Sequence, residues 1–210
     1  MGLFITFEGP DGTGKTTNAN LLEQYLKDQG YDCLRTREPG GTIVGEKIRE
    51  VLLSNESKGM ASETEALLYA AARQEIVLHV LLPALNSGKI VICDRFYDSS
   101  IAYQGYGRNL GEEYVRNINE AAIKLCKPNI TFLLWSDKEC VESRVNTRGE
   151  KDRLEGEKEE FFEKVREGFL QIQKKEPDRM ILINTEKPIE EVFCEIKEII
   201  NDKLKGFNKA

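Results

Sequence analysis

The chain has few cysteines, and their spacing suggests neither a bridge nor a metal site. The five residues are an odd number, lie far apart and form no CxxC pair or Cys/His pattern. We therefore expect no disulfide framework and no zinc site. We interpret all five as reduced core residues of a cytoplasmic protein: Cys33, Cys93, Cys126, Cys140 and Cys194.

Long apolar runs and excess positive charge are also missing. The longest apolar stretch, 76–85, is interrupted by His79 and Pro83 and falls short of the ~18 residues that span a bilayer. No cationic segment precedes the first apolar run, so we expect no secretory signal. Thirty Lys and Arg against 36 Asp and Glu give a net charge of −6, which argues against a broad nucleic-acid surface. We expect small-molecule partners, with no nucleic acid and no membrane.

What the sequence does contain is a regular alternation of strand and helix patterns. A chain of 210 residues with 40% hydrophobic residues is typical of one domain, which we place over residues 1–210. Five short apolar runs predict strands at 3–8, 32–37, 89–94, 130–135 and 180–184. Helical patterns follow them, so the sequence predicts an α/β fold with a five-stranded parallel sheet and helices on both faces. Ligands in such sheets bind outside the carboxyl ends of the strands.

The clearest helical patterns cover residues 16–28, 62–86, 111–127 and 188–205. In the second of them we expect Ser62 to be the N-cap, Glu65 to complete a capping box and Pro83 to bend the last turn. We expect the one histidine, His79, to be a packed core residue of the same helix and not a catalytic base. Residues 147–160 are almost all polar, which predicts a short mobile lid at about 144–160.

A phosphate-binding motif follows the first predicted strand. Residues 9–16 match GxxxxGK(S/T) and open a predicted helix, which is the context that the motif requires. Backbone N–H groups of such a loop surround phosphate oxygens, Lys15 bridges phosphates and the Thr16 hydroxyl can bind Mg²⁺. We therefore expect a bound nucleoside triphosphate, with ATP-binding residues Gly9, Pro10, Asp11, Gly12, Thr13, Gly14, Lys15, Thr16 and Thr17.

Asp94 and Arg95 end the third predicted strand, close to the phosphate loop if the sheet is wound as expected. Asp94 is then placed to join Thr16 at Mg²⁺, and the planar fork of Arg95 matches two oxygens of a phosphate. A guanine-specific GTPase would carry Asn/Thr-Lys-x-Asp after a late strand. The sequence has Thr-Glu-Lys-Pro at 185–188, which disfavours a GTPase.

Four segments together resemble the bacterial thymidylate kinase family. They are GPDGTGKTT at 9–17, TREPGGT at 36–42, DRFYDSSIAYQG at 94–105 and RGEKDRLE at 148–155. The resemblance implies a three-layer P-loop kinase fold with a lid, and transfer of the γ-phosphoryl group of ATP to dTMP with Mg²⁺. It also implies a homodimer.

The resemblance assigns residues to the acceptor. Arg37, Arg49 and Arg95 would surround its phosphate, and Asp11 would lie near the 3′-hydroxyl. A ring at Tyr69 would stack on thymine, where the family more often has Phe, and Arg73 would bond a base carbonyl. The 38–39 peptide resembles a cis site of the family. The implied dTMP-binding set is Asp11, Arg37, Pro39, Arg49, Tyr69, Arg73, Arg95, Ser100, Tyr103 and Gln104.

Catalysis is expected to depend on positive charge, because negative charge spreads over the oxygens of the transferring group. Lys15 and Arg95 are two of the expected catalytic residues. The phosphate loop carries no arginine, so a lid arginine would supply the third charge. We favour Arg153, with Arg148 second, and Arg144 resembles the residue that packs over adenine. Another nucleoside monophosphate kinase and a nucleotide-dependent switch protein remain as alternatives.

Overall fold

The computed structural model describes residues 2–137 and 152–205. Five strands form one sheet, and every neighbouring pair is parallel. The strands are β1 Leu3–Glu8, β2 Cys33–Arg37, β3 Ile90–Asp94, β4 Ile130–Trp135 and β5 Met180–Asn184, in the order β2-β3-β1-β4-β5. The predicted α/β fold is therefore confirmed, and strand bounds differ from the prediction by one residue at most.

Helices connect the strands. They are α1 Lys15–Asp28, α2 Ile43–Leu53, α3 Ser62–Ile76, α4 Leu82–Asn86, α5 Tyr97–Ser100, α6 Glu112–Leu125, α7 Glu159–Lys175 and α8 Ile189–Leu204. Two π-helical segments, Val77–Leu81 and Ile101–Gly107, follow α3 and α5 without a break. Helix α2 is not among the predicted patterns, because three of its apolar residues, Ile43, Val44 and Val51, face solvent.

Both faces of the sheet are covered by helices. On one face, side chains such as Ile5 and Phe7 of β1 pack against α1 and α8. On the other, Phe4 of the same strand packs with α3, α6 and α7. All residues of β1 and β3 are buried, as is expected for central strands of a parallel sheet. Their carboxyl ends meet at one edge, where the phosphate loop begins.

The start of α3 differs from the prediction. Its N-cap residue is Ala61, and no side chain caps the helix. The capping box predicted for Ser62 and Glu65 is therefore wrong. The carboxylate of Glu65 is buried and accepts hydrogen bonds from other elements, so it does not reach back to the helix start.

The outward-facing residues of the helical segment 76–86 also differ from the prediction. The π-helical turn before Pro83 buries Val77 and Leu81 and turns His79 outward, where its side chain is 65% exposed. The expectation of a packed core histidine is wrong, since α-helical spacing does not describe this turn. Cys194 is likewise exposed and Cys33 half-buried, whereas Cys93 and Cys126 are core residues. Cys140 lies outside the described residues. Within residues 2–137 and 152–205, no helix is long and apolar enough to cross a membrane.

Candidate active site

The phosphate loop lies at the carboxyl end of the central strand β1. Gly9 has a φ of 129°, and a Cβ there would lie 2.3 Å from the carbonyl oxygen of Leu134 in β4. Only glycine fits this close approach. Gly14, with a φ of 86°, turns the chain into α1, so the helix N-terminus points into the loop.

Lys15 is held inside this loop. Its Nζ donates to the carbonyl oxygen of Pro10 at 2.7 Å and lies 3.7 Å from Oδ1 of Asp11. Burial, together with the charge of Arg95, lowers the pKa of Lys15 to about 8. An anion bound in the loop would offset both effects and favour the charged ammonium.

Thr16 and Asp94 come together as the sequence predicts. The Thr16 hydroxyl donates to Oδ2 of Asp94 at 2.5 Å, which joins the first turn of α1 to the end of β3. A hydroxyl and a carboxylate are hard oxygen ligands that suit Mg²⁺. Among the described residues there is no cluster of three or more His, Cys, Asp and Glu side chains that could hold a metal. A site with few protein ligands fits Mg²⁺, which keeps waters and binds substrate phosphates.

Arg95 points toward the loop from an unusual backbone conformation, with a φ of 69°. Its Nη1 donates to the carbonyl oxygen of Gly9 at 3.0 Å and to Oγ of Ser99 at 2.9 Å. Its Nη2 lies 2.6 Å from Oδ1 of Asp11. Burial opposes ionisation of Asp11, but the charges of Arg95 and Lys15 hold its pKa below the usual value. The structure thus brings Lys15, Arg95 and the carboxylate of Asp11 together at the carboxyl end of β1.

A cavity of about 220 Å³, which we call the acceptor cavity, opens beside these groups. One wall comes from α3, which contributes Tyr69 and Arg73 one turn apart, and another from the helical segment after β3. Residues 152, 154 and 155 also line it. It brings together nine of the ten residues expected to bind dTMP: Asp11, Pro39, Arg49, Tyr69, Arg73, Arg95, Ser100, Tyr103 and Gln104.

Arg37 is the tenth, and it does not line the acceptor cavity. Its guanidinium binds both carboxylate oxygens of Glu46, at 3.0 and 3.1 Å, and is half exposed. Arg49 donates to the carbonyl oxygen of Pro39 at 3.0 Å and does line the cavity. The Glu38–Pro39 peptide between these arginines is cis, as the resemblance implies.

Arg73 is the most buried arginine of the acceptor cavity lining, since it is only 1% exposed. Three side chains hold its guanidinium: Glu38, Ser100 and Asn119. Burial raises the pKa of Glu38 to about 7, although Arg73 opposes this rise. Tyr69 and Ser100 stand beside this group in the cavity wall.

Arg153 does not have the surroundings expected of a catalytic lid residue. It is 5% exposed; its Nε donates to the carbonyl oxygen of Leu52 and its Nη1 to Oε2 of Glu65, each at 2.7 Å. Arg108 binds both oxygens of the same carboxylate, at 3.1 and 3.0 Å. None of the described contacts of Arg153 is with the phosphate loop, so its surroundings favour a positioning role. Arg144 and Arg148 lie outside the described residues.

A second cavity, of about 270 Å³, lies on the other side of the phosphate loop. Gly12, Thr13, Gly14 and Thr17 of the loop and α1 line it together with residues of the β5–α8 connection. The cavity is also lined by five residues for which the sequence predicts no role: Asn18, Thr185, Lys187, Ile189 and Val192.

Sequence reasoning also misses several partners of the expected site residues: Glu8, Glu38, Glu65, Ser99 and Asn119. For two of these the sequence carries a signal. Asn119 lies between Val115 and Ala122 on the buried stripe of α6. Glu65 precedes Tyr69 and Arg73 at helical spacing. A polar residue on the inward face of a helix needs a buried partner, so Asn119 and Glu65 can both be identified from the sequence as candidate site residues.

The parallel sheet, the glycine loop at its central strand and the acceptor cavity beside Arg95 define a P-loop nucleotide kinase. The family model for thymidylate kinase matches residues 7–196. A thymidylate kinase of Caldanaerobacter subterraneus is 49% identical over 206 residues, covering 98% of each chain. One of Geobacillus sp. is 44% identical, covering 98% of this chain and 99% of the relative.

A solved structure agrees with these relatives. The crystal structure of the thymidylate kinase from Ehrlichia chaffeensis superposes with a TM-score of 0.78 at 37% identity, covering 95% of this chain and 98% of that one. The chain belongs to the thymidylate kinase family.

Proposed function

We propose that the protein transfers a phosphoryl group from ATP to dTMP, giving dTDP, and that the acceptor cavity binds dTMP. The observation that carries this proposal is the lining of the cavity, where Tyr69 and Arg73 of α3 and Arg95 come together. Arg95 is joined to Lys15 through the carboxylate of Asp11. A base stacked on Tyr69 would bring its 5′-phosphate to Arg95. The acceptor phosphate would then face the phosphate loop.

The sugar of dTMP would lie between the base at Tyr69 and the phosphate at Arg95. The Tyr103 hydroxyl is 3.3 Å from Oδ2 of Asp11. The ring of Tyr103 packs under the guanidinium of Arg95, whose Cζ lies 5.2 Å from the ring centroid. In this arrangement Asp11 would offer an acceptor for the 3′-hydroxyl, and the ring of Tyr103 would oppose a ribose 2′-hydroxyl. Arg49, Gln104 and Ser100 complete this wall, and Arg37 would have to leave Glu46 to join it.

The donor nucleotide would bind across the phosphate loop. The second cavity supports a base site for ATP, because the loop and the β5–α8 connection together line it. Thr16 and Asp94 would hold Mg²⁺, which when bound neutralises charge on the donor phosphates. Lys15 and Arg95 would stabilise negative charge on the transferring and acceptor oxygens.

No general base is needed, because the acceptor phosphate is already an oxyanion at neutral pH. The third positive charge would come from the lid. Since Arg153 is bound to Glu65, we propose that Arg148 supplies this charge and that Arg153 anchors the segment after it. Arg144 remains our proposal for packing over adenine.

An acceptor panel tests the function. With ATP and Mg²⁺, we expect rapid ADP formation with dTMP and at least tenfold lower kcat/KM with AMP, CMP or thymidine. Arg73 and Tyr103 would not match the bases and riboses of AMP and CMP, and thymidine lacks the 5′-phosphate that Arg95 would bind. ADP release should stay near background without an acceptor. Faster turnover with another monophosphate would favour a different kinase of this class, and acceptor-independent phosphate release would favour a switch protein.

We also propose a homodimer, formed through α2 and α3. Five exposed apolar side chains lie on these neighbouring helices and the turn after α3: Ile43, Val44, Val51, Leu67 and Leu78. Exposed apolar side chains on two helices that pack together support a protein–protein contact there.

Sedimentation equilibrium should give twice the chain mass of 23.9 kDa. Leu67→Glu should shift the protein toward monomer, whereas Leu21→Glu, at an exposed leucine of α1, should not. A wild-type mass of one chain would contradict the dimer.

The cytoplasmic location stays a prediction.

A further inference from the structure

The guanidinium of Arg73 is held at both ends by side chains from three elements. Nε donates to Oε2 of Glu38 at 2.8 Å, and Nη2 lies 2.7 Å from the same oxygen. Nη1 donates to Oγ of Ser100 at 3.0 Å and to Oδ1 of Asn119 at 2.7 Å. An arginine has five N–H groups, and these contacts use four of them. One hydrogen of Nη2 is left for a ligand in the acceptor cavity.

Asn119 is built to present an oxygen to Arg73. It is 2% exposed, on the inward face of α6. Its Nδ2 donates to the carbonyl oxygen of Val115 at 2.8 Å, one turn earlier in the same helix. That hydrogen bond fixes the amide, because reversing it would bring two oxygens together. The Oδ1 atom is therefore locked toward Arg73 by the helix backbone.

The two contacts at opposite ends of Arg73 have different effects. Glu38 binds Nε and Nη2 through a single oxygen, so this contact alone would let the guanidinium pivot about that atom. Asn119 binds Nη1, at the far end, and opposes the pivot. Removing Asn119 would leave one N–H of the charged Nη1 without its partner and only the neutral Ser100 hydroxyl to oppose the pivot. The orientation of the remaining Nη2 hydrogen would then be less fixed.

We propose that Asn119 is a positioning residue that fixes the Arg73 guanidinium and thereby determines which pyrimidine the acceptor cavity selects. This inference rests on the proposed binding of the base at Arg73. A fixed N–H donor favours a base with a carbonyl at that edge, as in thymine or uracil. It opposes the amino group of cytosine, because two donors would face each other.

The test compares Asn119→Leu with Asn117→Leu, an exposed asparagine of the same helix. We expect Asn119→Leu to raise the KM for dTMP about tenfold or more, with kcat and the KM for ATP within about twofold of wild type. The ratio of kcat/KM for dTMP over dCMP should fall by a similar factor. Asn117→Leu should change none of these values. If the leucine variant fails to fold, Asn119→Ala, which adds no bulk, takes its place in the test, and the same results are expected.

A double-mutant cycle separates this role from a general effect on packing. If Asn119 acts through Arg73, Asn119→Leu should raise the KM for dTMP no further once Arg73→Ala is present. Additive effects, or an unchanged dTMP/dCMP ratio in Asn119→Leu and Asn119→Ala, would overturn the inference. An unchanged KM in Arg73→Ala would instead overturn the proposed base site. A raised KM in Arg73→Ala alone would leave that site standing and reject Asn119.

Discussion

Replacing Lys15 by methionine should lower kcat by about 10³-fold, because it removes a buried charge beside the reacting phosphates while keeping the length of the side chain. The lysine is fixed by Pro10 and Asp11 inside the loop, so no other cation can take its position without a rearrangement. The loss should fall mainly on kcat, since negative charge on the bridging oxygen is greatest in the transition state. Initial rates of ADP formation at saturating ATP and dTMP measure it.

Lys27→Met is the matched control. Lys27 lies in the last turn of the same helix, where it is half exposed and pairs with Glu23 at 2.7 Å. Its loss should leave kcat within about twofold, because exposed ion pairs contribute about 0–1 kcal/mol to stability and none of the chemistry. A Lys15→Met enzyme that folds normally and keeps a tenth of the wild-type kcat would show that Lys15 is not essential for the transfer.

Much of the fold was predictable because its signals are local. Short apolar runs and helical spacing repeat regularly, and a glycine loop after the first run leaves few alternatives to a parallel sheet. The turn at Val77–Leu81 escaped this reasoning because a π-helical segment breaks the 3.6-residue spacing on which it depends. The orientation predicted for His79 was wrong for that reason.

The site was predictable where a motif names the residue, and less so where two distant elements meet. Glu38 and Asn119 lie 35 and 46 residues from Arg73. The apolar stripe around Asn119 indicates that it needs a buried partner, but nothing local to either residue identifies Arg73 as that partner. Glu65 carried a local signal that was misread, since the spacing of a capping box also suits a carboxylate aimed at the interior. Only the packing of α3 against its neighbours separates these interpretations.

Helix α3 contributes both to the wall of the acceptor cavity and to the contacts that hold Arg153. Glu65, Tyr69 and Arg73 follow one another at four-residue spacing, so they lie along one stripe of the helix. The first binds Arg153 and Gln104, whereas the other two line the acceptor cavity. A single helix therefore sets the relative positions of the proposed base site and of the segment that follows residue 151.

The second large effect distinguishes the two lid arginines. Arg148→Ala should lower kcat by about 10²-fold or more with little change in stability, because an arginine acting on the transition state is worth that much or more in phosphoryl transfer. Arg153→Ala should instead reduce the free energy of unfolding by about 3 kcal/mol, since it breaks a buried ion pair with Glu65. Its kcat, measured where the variant is folded, should fall by less than about tenfold. Urea denaturation and initial rates on the two variants supply both numbers.

Each variant serves as the control for the other, since each removes one guanidinium from the same short segment. Arg153→Lys extends the comparison: a lysine can keep a charge near Glu65 but cannot also reach the carbonyl oxygen of Leu52 with a second fixed N–H. It should recover part of the lost stability. If Arg153→Ala loses 10²-fold in kcat at full stability while Arg148→Ala is unaffected, Arg153 must leave Glu65 during turnover. The contact with Glu65 would then be a resting arrangement, and the catalytic assignment made from the sequence would stand.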